Sequence, residues 1–459
     1  MYTSNINTIN IMADNGERLK VQANPAKSFF VSMLIKDITL RDAIGDLVDN
    51  AVDAIKARVE DKSNLTGYQV DVTLNGNEFT IKDNGQGMNT EVARTTAFNF
   101  GKAKDHQLIE NSIGQFGIGM KRAFFKIGSF ISVHSVTKKS CFDIDIDVPD
   151  WLAIADKWEF AFKEDTLQED VDQTEETGFS VTIKNLSDDA KASFSNDKFI
   201  NQLTKEIEYE HMLNIEKGLI ITINGYKLKE TNITLVCDDN FKPTYWEKEK
   251  DGLTIKILAG ISTKNEDEGG WYVFCNDRLI LAKDKSANTV WTGGKGDGVA
   301  LWHAQYHRFR GFVFFEAKDS SKLPWNTTKT GMDMDSPIYQ GVRVQMINMT
   351  KQVMELMDKL KSEKEKDNPE DEQKLNNAVE QSTKASRQSV LELRTRTDVL
   401  QEKFIFPEAL YSPAGKKNQI NIQYFVPREK FQQVCSQLKV KSGKDVGMKT
   451  FDYYCDNEL

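Results

Sequence analysis

Residues 39–58 read TLRDAIGDLVDNAVDAIKAR, and the rest of the chain is best read outward from them. Leu40, Ile44, Leu47, Val48, Ala51 and Ile55 recur at helical spacing, which predicts a helix from Ile38 to about Val59. Thr39 with Asp42 three residues on reads as a capping pair at its start. Opposite the apolar face, Asp46, Asp49, Asn50 and Asp53 stand at i, i+3, i+4 and i+7, a single narrow stripe. On an ordinary helix such a stripe is a solvated face. Solvated faces favour Lys, Glu and Gln, however, and Asp and Asn are poor formers of helix interiors because they compete for backbone hydrogen bonds. Four of them without a basic partner in the stripe suggest oxygen ligands facing something that needs them, a hydrated divalent cation being a natural candidate.

Downstream, Tyr68 to Leu74 alternates as a strand, Asn75-Gly76-Asn77 turns, and Glu78 to Lys82 returns. Asp83-Asn84-Gly85-Gln86-Gly87-Met88 follows. It is either a turn closing the hairpin or a carboxylate at a strand end beside glycines that let backbone approach a flat ligand closely. A carboxylate there can accept from an exocyclic amine such as that of adenine. A third segment, Ile113-Gly114-Gln115-Phe116-Gly117-Ile118-Gly119-Met120-Lys121, opens an apolar helical run to Ile127. Glycines before a helix N-terminus leave N–H groups free for phosphate. No GK[ST] follows, so this is not a Walker loop, and no long strand leads into it as a dinucleotide fingerprint requires.

Composition bounds the remaining possibilities. The chain has 459 residues, enough for about three domains. Sixty basic against 69 acidic residues give a net charge of −9, which excludes a uniformly basic nucleic-acid coat. Local patches stay open, with Lys283, Lys285, Lys295, Arg308 and Arg310 as candidates beside a simple solvated loop. The five scattered cysteines form no disulfide framework or CxxC zinc site and point to a reducing, cytoplasmic setting. No apolar run is long enough for a membrane span, and no secretory signal is visible at the N-terminus.

The expected organisation is α+β. It comprises a polar arm (1–28), an α+β domain (29–190), a second α/β unit (191–362), a linker and polar helical segment (363–417), and a small tail module (418–459). Strands are expected at 130–136, 141–148, 179–184, 218–223, 232–237, 253–259, 271–276 and 311–316. Helices are expected near 197–216, from Ile338 to about Glu363, and at 428–438 and 443–456, with a tail strand at 419–425. The segment SEKEKDNPEDEQ (362–373) is charge-dense and reads as a linker or exposed helix end; 374–403 reads as an exposed or partner-bound helix.

Taken in order, Asp46-x-x-x-Asn50-x-x-Asp53-Ala54, Asp83-x-Gly85-x-Gly87 and Gly114-x-x-Gly117-x-Gly119 resemble the nucleotide site of the GHKL ATPases, the superfamily of gyrase, the ninety-kilodalton heat-shock chaperone, histidine kinases and MutL. FNFGKAK (98–104), IGQFGIGMK (113–121), Asn185-Leu186 and YVFCNDRLI (272–280) are most similar to the Microrchidia (MORC) branch and its prokaryotic relatives. The resemblance implies a Bergerat-type α/β sandwich followed by a transducer-like domain. It implies that Asn50 coordinates Mg²⁺ on the phosphates of ATP, that Asp53 supports metal-bound water beside Ala54, and that Asp83 accepts from the adenine amine. Gly85, Gly87 and Met88 would line the base pocket. Residues 99–119 would form a lid in which Gly101, Lys102, Gly114, Gln115, Phe116, Gly117, Ile118 and Gly119, with Met120 and Lys121, wrap the phosphates. Asp46 would orient the attacking water, and Lys329 in LPWNTTKTGMD (323–333) would reach the γ-phosphate from the second unit.

Two departures stand out. The water-activating residue is usually glutamate. Aspartate is shorter by roughly 1.5 Å, one carbon–carbon bond, and a general base misplaced by that much can cost on the order of a hundredfold in rate. The family's Gly-Thr pair is here Gly178-Phe179, leaving Ser180 or Thr182 to replace the threonine near adenine. The expected activity is therefore ATP binding with slow hydrolysis, driving an ATP-dependent homodimer, with DNA, a partner protein at the tail and a defence role as further implications. A nucleotide-binding scaffold without efficient hydrolysis and a heat-shock-like chaperone are the alternatives.

Overall fold

Two helices, α1 (Lys27–Lys36) and α2 (Leu40–Arg58), open the described part of the chain. The computed structural model describes residues 26–100, 112–114, 117–154, 157–172, 176–294, 298–364, 373–396, 400–411 and 422–458. Thr39 and Asp42 form the expected reciprocal cap: the Asp42 N–H donates to Thr39 Oγ1 (3.1 Å) and the Thr39 N–H to Asp42 Oδ2 (3.0 Å). This satisfies two of the orphan donors at the start of α2 and sets its register.

The apolar stripe of α2 then lies on a sheet. Strands β1 (Gln69–Leu74) and β2 (Phe79–Asp83) form the predicted hairpin, followed by helix α3 (Gly119–Ile127). Next come β3 (Gly128–Val136), β4 (Ser140–Asp147), β5 (Gln168–Glu169) and β6 (Gly178–Leu186). With β7 (Ile220–Ile223) and β8 (Tyr226–Lys227) they make one eight-stranded sheet, in the order β5-β4-β3-β6-β2-β1-β7-β8. Only β1 and β7 pair in parallel; the other pairings are antiparallel. Ile44, Val48, Val52 and Ile55 of α2 bury against Val70, Val72, Ile81, Val133, Val181 and Ile183 in one core. Strand β7, expected in the second unit, thus completes the first sheet. The Ile220 N–H donates to the Tyr68 carbonyl at 3.1 Å.

Helix α4 (Asp197–Glu210) stops at His211, and a short helical turn, Met212–Glu216, follows in place of one continuous helix to 216. A second sheet then forms from β10 (Thr244–Lys250), β11 (Leu253–Ile261), β12 (Gly270–Cys275), β13 (Arg278–Asp284) and β14 (Phe309–Ala317), preceded by the short β9 (Thr234–Val236). Its order is β10-β11-β14-β12-β13. The runs WYVFC and GFVFF bury both faces. Tyr272, Phe274, Phe312 and Phe314 face one core while Val273, Cys275, Val313 and Phe315 face the other, as a sheet covered on both sides requires. In register across the parallel pair, Tyr272 stacks on Phe312 (5.4 Å) and Phe274 on Phe314 (5.0 Å). Two strands of this sheet escape sequence reading. Strand β10 exposes four of its seven residues, so it has no clean alternation. Strand β13 follows β12 through Asn276 and Asp277, both at positive φ (48° and 68°), a two-residue hairpin turn made without glycine.

Helix α5 (Pro337–Lys364) covers the second sheet with Val342, Met346, Val353 and Leu356. The segment after it is not an exposed helix. Helix α6 (Lys374–Ala385) buries Leu375 and Val379, and the fully buried Glu363 carboxylate accepts from the Leu375 and Asn376 N–H groups (3.2 and 2.9 Å). Strand β15 (Arg387–Ser389) then pairs with β9. Two compact units result, Met1–Tyr411 and Ser412–Leu459. In the second, helices α7 (Arg428–Leu438) and α8 (Gly443–Glu458) form as expected, neither burying a residue, and 422–425 are not a strand.

Candidate active site

The oxygen stripe of α2 is a buried face, not a solvated one. Asp46, Asp49 and Asp53 are 3%, 0% and 5% exposed, and Asn50 is half-buried. Burial of three carboxylates is tolerable only with partners, and the partners come from distant segments. Lys329, at φ 57° in the loop after β14, places Nζ 2.7 Å from Asp49 Oδ2 and 3.1 Å from Asp46 Oδ1. Arg278 Nε donates to Asp49 Oδ1 at 2.8 Å, its Nη1 to the Lys329 carbonyl at 3.0 Å, and its Nη2 pairs with Glu210 at 3.1 Å. Arg122, one turn into α3, holds Asp46 Oδ2 through Nε (2.7 Å) and Nη2 (2.6 Å). His211 Nε2 lies 3.4 Å from Asp49 Oδ1, yet makes no hydrogen bond.

Charge follows this geometry. Burial by itself would raise the Asp49 carboxyl, but Arg278 and Lys329 outweigh it and hold the group well below the usual range. Burial would likewise lower the Lys329 ammonium, and Asp49 and Asp46 reverse that, holding it above its usual value. Asp53 has a different task. Its carboxylate accepts from the Ile113 N–H (2.8 Å) and the Gly114 N–H (2.8 Å), fixing the backbone just before the glycine-rich turn. Burial pushes this carboxyl up to about 6, against the pull of the two N–H donors and Lys56.

Asp83 ends β2 with its carboxyl buried and pushed up to about 7 by that burial; the Gly85 and Phe179 N–H groups work against the rise. Gly85 N–H donates to Asp83 Oδ1 at 2.8 Å, so acceptor positions remain on this carboxyl. Backbone crowds it. A Cβ on Gly85 would come 2.8 Å from Ala54 backbone, on Gly178 2.4 Å from the Asp83 carbonyl, and on Gly87 (φ 72°) 2.1 Å from the Val136 carbonyl. Met88 is tied by its N–H to Ser135 Oγ (2.7 Å), and Thr177 Oγ1 donates to the Gly85 carbonyl (2.8 Å).

The phosphate segment meets the same helix. A Cβ on Gly114 would lie 3.4 Å from Asp53 Oδ2 and 3.7 Å from Asn50 Oδ1, and one on Gly119 would lie 3.3 Å from the Asp46 carboxyl. Gly117 takes φ 65°, and α3 begins at Gly119 with no side-chain cap among the described residues. Ile118 and Met120 are half-buried beside this turn. Lys121 is turned away: Nζ donates to the Ala97 carbonyl (2.8 Å) and to that of Gly117, and burial lowers its ammonium to about 8. Gly101, Lys102, Gln115 and Phe116, like most of the expected lid and residues 1–25 of the arm, lie outside the described residues.

Two expectations need correction. Thr182 faces away from Asp83. Its Oγ1 lies 3.3 Å from Thr80 Oγ1, on the sheet face opposite the one shared by Phe79, Ile81 and Asp83 with Phe179, Val181 and Ile183. Ser180 shares the Thr182 face, so neither replaces the family threonine; Thr177, just before Gly178, reaches the Gly85 loop instead. The described candidates for a basic patch are engaged with neighbours. Arg310 is fully buried on Glu268, Arg308 pairs with Glu380, Lys285 binds the Glu266 carbonyl and Lys283 the Tyr209 hydroxyl (3.2 Å), while Lys295 is outside the described residues. Finally, Arg122, Arg278 and Asn276 were absent from the sequence-based site. Asn276 Nδ2 donates to the Ser112 carbonyl at 2.9 Å, clamping the glycine-rich segment to the second sheet. Arg122 and Arg278 stand beside motifs already singled out, but only the buried carboxylates identify them.

The donors fit a Mg²⁺-nucleotide. One side-chain amide, Asn50, stands beside the phosphate turn and makes no hydrogen bond among the described residues. A buried acceptor with spare capacity, Asp83, stands in a slot that admits only glycine. Among the described residues, no group of three or more His, Cys, Asp or Glu is arranged to hold a metal by itself. No helix of the described chain is long and apolar enough to cross a membrane. No curated protein matches the chain. Residues 38–174, which include Asp46, Asn50, Asp53 and Asp83, match the family model of the histidine kinase-, DNA gyrase B-, and HSP90-like ATPases.

Proposed function

We propose that the chain binds Mg²⁺-ATP and uses it to switch contact between the ATPase region and the second sheet, with slow hydrolysis resetting the switch. The observation that carries this reading is Lys329: a cation from the second sheet's loop, buried between Asp46 and Asp49 of the helix that also bears Asn50. Asp83 would accept from the adenine amine, Asn50 would hold the metal, and the N–H groups at the start of α3 would take the phosphates. A magnesium ion held there would supply neutralisation of the phosphate charge. Lys329 pairs with Asp46, whose carboxyl lies beside Gly119, and would exchange its carboxylates for the γ-phosphate. That exchange would free Asp46 Oδ1 to orient water.

Arg122 favours a second reading. It holds Asp46 Oδ2 with two N–H groups, so that oxygen is unavailable to water. A nucleotide-binding switch with very slow turnover is consistent with this. The MORC-like relationship is supported by NDRLI (276–280), whose Asn276 and Arg278 tie the second sheet to the phosphate turn and to Asp49. By analogy with that branch the switch would gate a homodimer, in a DNA-associated or defence system. Multi-angle light scattering with a non-hydrolysable ATP analogue tests the gating: a doubled mass is expected, and an unchanged monomer mass rejects it. A DNA-stimulated ATPase assay of wild type against Asn50→Ala tests turnover and effector together.

A further inference from the structure

Helix α4 delivers two neighbouring side chains to the Lys329 site. Its last residue, Glu210, pairs with Arg278 (3.1 Å). The next, His211, caps the helix with its N–H on the Ile207 carbonyl (3.0 Å), and its ring is fully buried beside Asp49. Nε2 stands 3.4 Å from Asp49 Oδ1 and makes no hydrogen bond among the described residues. On the other side of the ring, the fully buried Asn214 places Nδ2 3.4 Å from Nδ1, and its Oδ1 has no partner among the described residues. An amide nitrogen only donates, so Nδ1 accepts and the ring proton sits on Nε2, facing Asp49. A donor left unused in the interior is costly. Such a group points to a second state of the site in which it is used.

Asp49 explains why the donor is idle. Its Oδ1 is taken by Arg278 Nε at 2.8 Å and its Oδ2 by Lys329 Nζ at 2.7 Å, so the carboxylate is held at both ends. Spare lone pairs remain, but with a cation fixed on each oxygen the group cannot turn to bring one into line with Nε2. Departure of Lys329 frees Oδ2. The carboxylate can then turn about its Arg278 contact toward His211, and the imidazole N–H replaces a bond that left with the ammonium.

We propose that His211 is a positioning residue that takes over Asp49 when Lys329 leaves it for the γ-phosphate, a role that rests on the Lys329 exchange, and that it thereby sets the preference of the site for a nucleoside triphosphate over a diphosphate. A diphosphate has no γ-phosphate to draw Lys329 away, so His211 stays idle when it binds. A triphosphate engages both residues, and the new bond between His211 and Asp49 offsets part of the cost of breaking the Lys329 pairs. No proton moves in this step: Nε2 keeps its hydrogen and Asp49 stays ionised.

Equilibrium titration of the full chain with ADP and with a non-hydrolysable ATP analogue, both in saturating Mg²⁺, measures this preference as a ratio of affinities. His211→Phe keeps a buried ring of similar size without the donor. The ratio should fall at least about fivefold, the equivalent of one hydrogen bond, while ADP affinity stays within about twofold of wild type. His211→Gln retains an N–H near the place of Nε2 and should recover most of the ratio. If the phenylalanine is not accommodated and ADP binding is lost with it, His211→Leu is read in the same way. Lys329→Met should lower the ratio by itself, and adding His211→Phe to it should lower it no further. A wild-type ratio in the folded His211 variant, with Lys329→Met lowering it, overturns the role of His211 alone. A ratio that Lys329→Met leaves unchanged overturns the Lys329 exchange and the role of His211 with it.

Discussion

Lys329 and Asp49, 280 residues apart, meet as a buried ion pair with Nζ 2.7 Å from Oδ2. The ATPase helix and the second sheet's loop are thus joined by a bond that neither sequence neighbourhood needs for its own folding. Lys329→Met leaves the buried Asp49 and Asp46 with one fewer cation. Removing one partner of a buried pair costs about 3–5 kcal/mol. The denaturant midpoint should fall accordingly, and Lys329→Arg should recover part of the loss. A midpoint unchanged in Lys329→Met would show that the pair contributes nothing.

Asp46 separates binding from turnover. Asp46→Asn keeps the size of the side chain but cannot act as a base. ATP hydrolysis should drop on the order of a hundredfold, while analogue affinity stays within a few-fold. Steady-state ATPase rates set beside equilibrium binding decide this. An Asp46→Asn enzyme that turns over at the wild-type rate removes Asp46 from the chemistry.

Protonation of Asp83 supplies a signature specific to the base pocket. Its carboxyl rises from 3.8 in the unfolded chain to about 7 in the folded one, because burial disfavours the charge. The folded chain therefore holds the proton more tightly, and this group's contribution to stability is present at low pH and is lost as pH rises through about 7. An amine donating to Asp83 favours the ionised form. ATP binding near pH 7 should then release up to about half a proton, read as a dependence of binding heat on the buffer's ionisation enthalpy. Asp83→Asn should remove that dependence, along with most of the affinity.

The glycine slot makes a steric prediction. At Gly87, φ is 72° and an added Cβ would lie 2.1 Å from the Val136 carbonyl, so backbone must move. Gly87→Ala should cost about 2 kcal/mol or more and weaken ATP binding beyond what Asp83 protonation explains. A variant with wild-type thermal midpoint and affinity would show that the loop has more freedom than its contacts imply.

Much of the nucleotide half was legible in the sequence, because local rules agree there. The Thr39–Asp42 cap, the helical apolar period and the Asn75-Gly76 hairpin all act within a few residues. Lys329 could be placed by its position between a strand and the closing helix. What sequence reading missed depends on long-range pairing. Arg122 and Arg278 are surface-type residues in isolation and become site residues only because α2 buries carboxylates against them. Thr182 fell on the outer sheet face because strand alternation, not proximity in sequence to Gly178, decides which side chain reaches Asp83. The polar stretch 374–403 reads as an exposed or partner-bound helix, yet Leu375, Val379 and the Glu363 carboxylate anchor its first part.

The central claim is that the α2 oxygen face and Asp83 together hold a purine triphosphate. Isothermal titration of Mg²⁺-ATP into wild type, Asn50→Ala and Asp83→Ala tests it most directly. Saturable uptake by wild type that falls at least about tenfold in each variant, a loss of 1.4 kcal/mol or more, is the predicted result. No uptake by folded wild-type protein, or equal uptake by all three, would contradict the account.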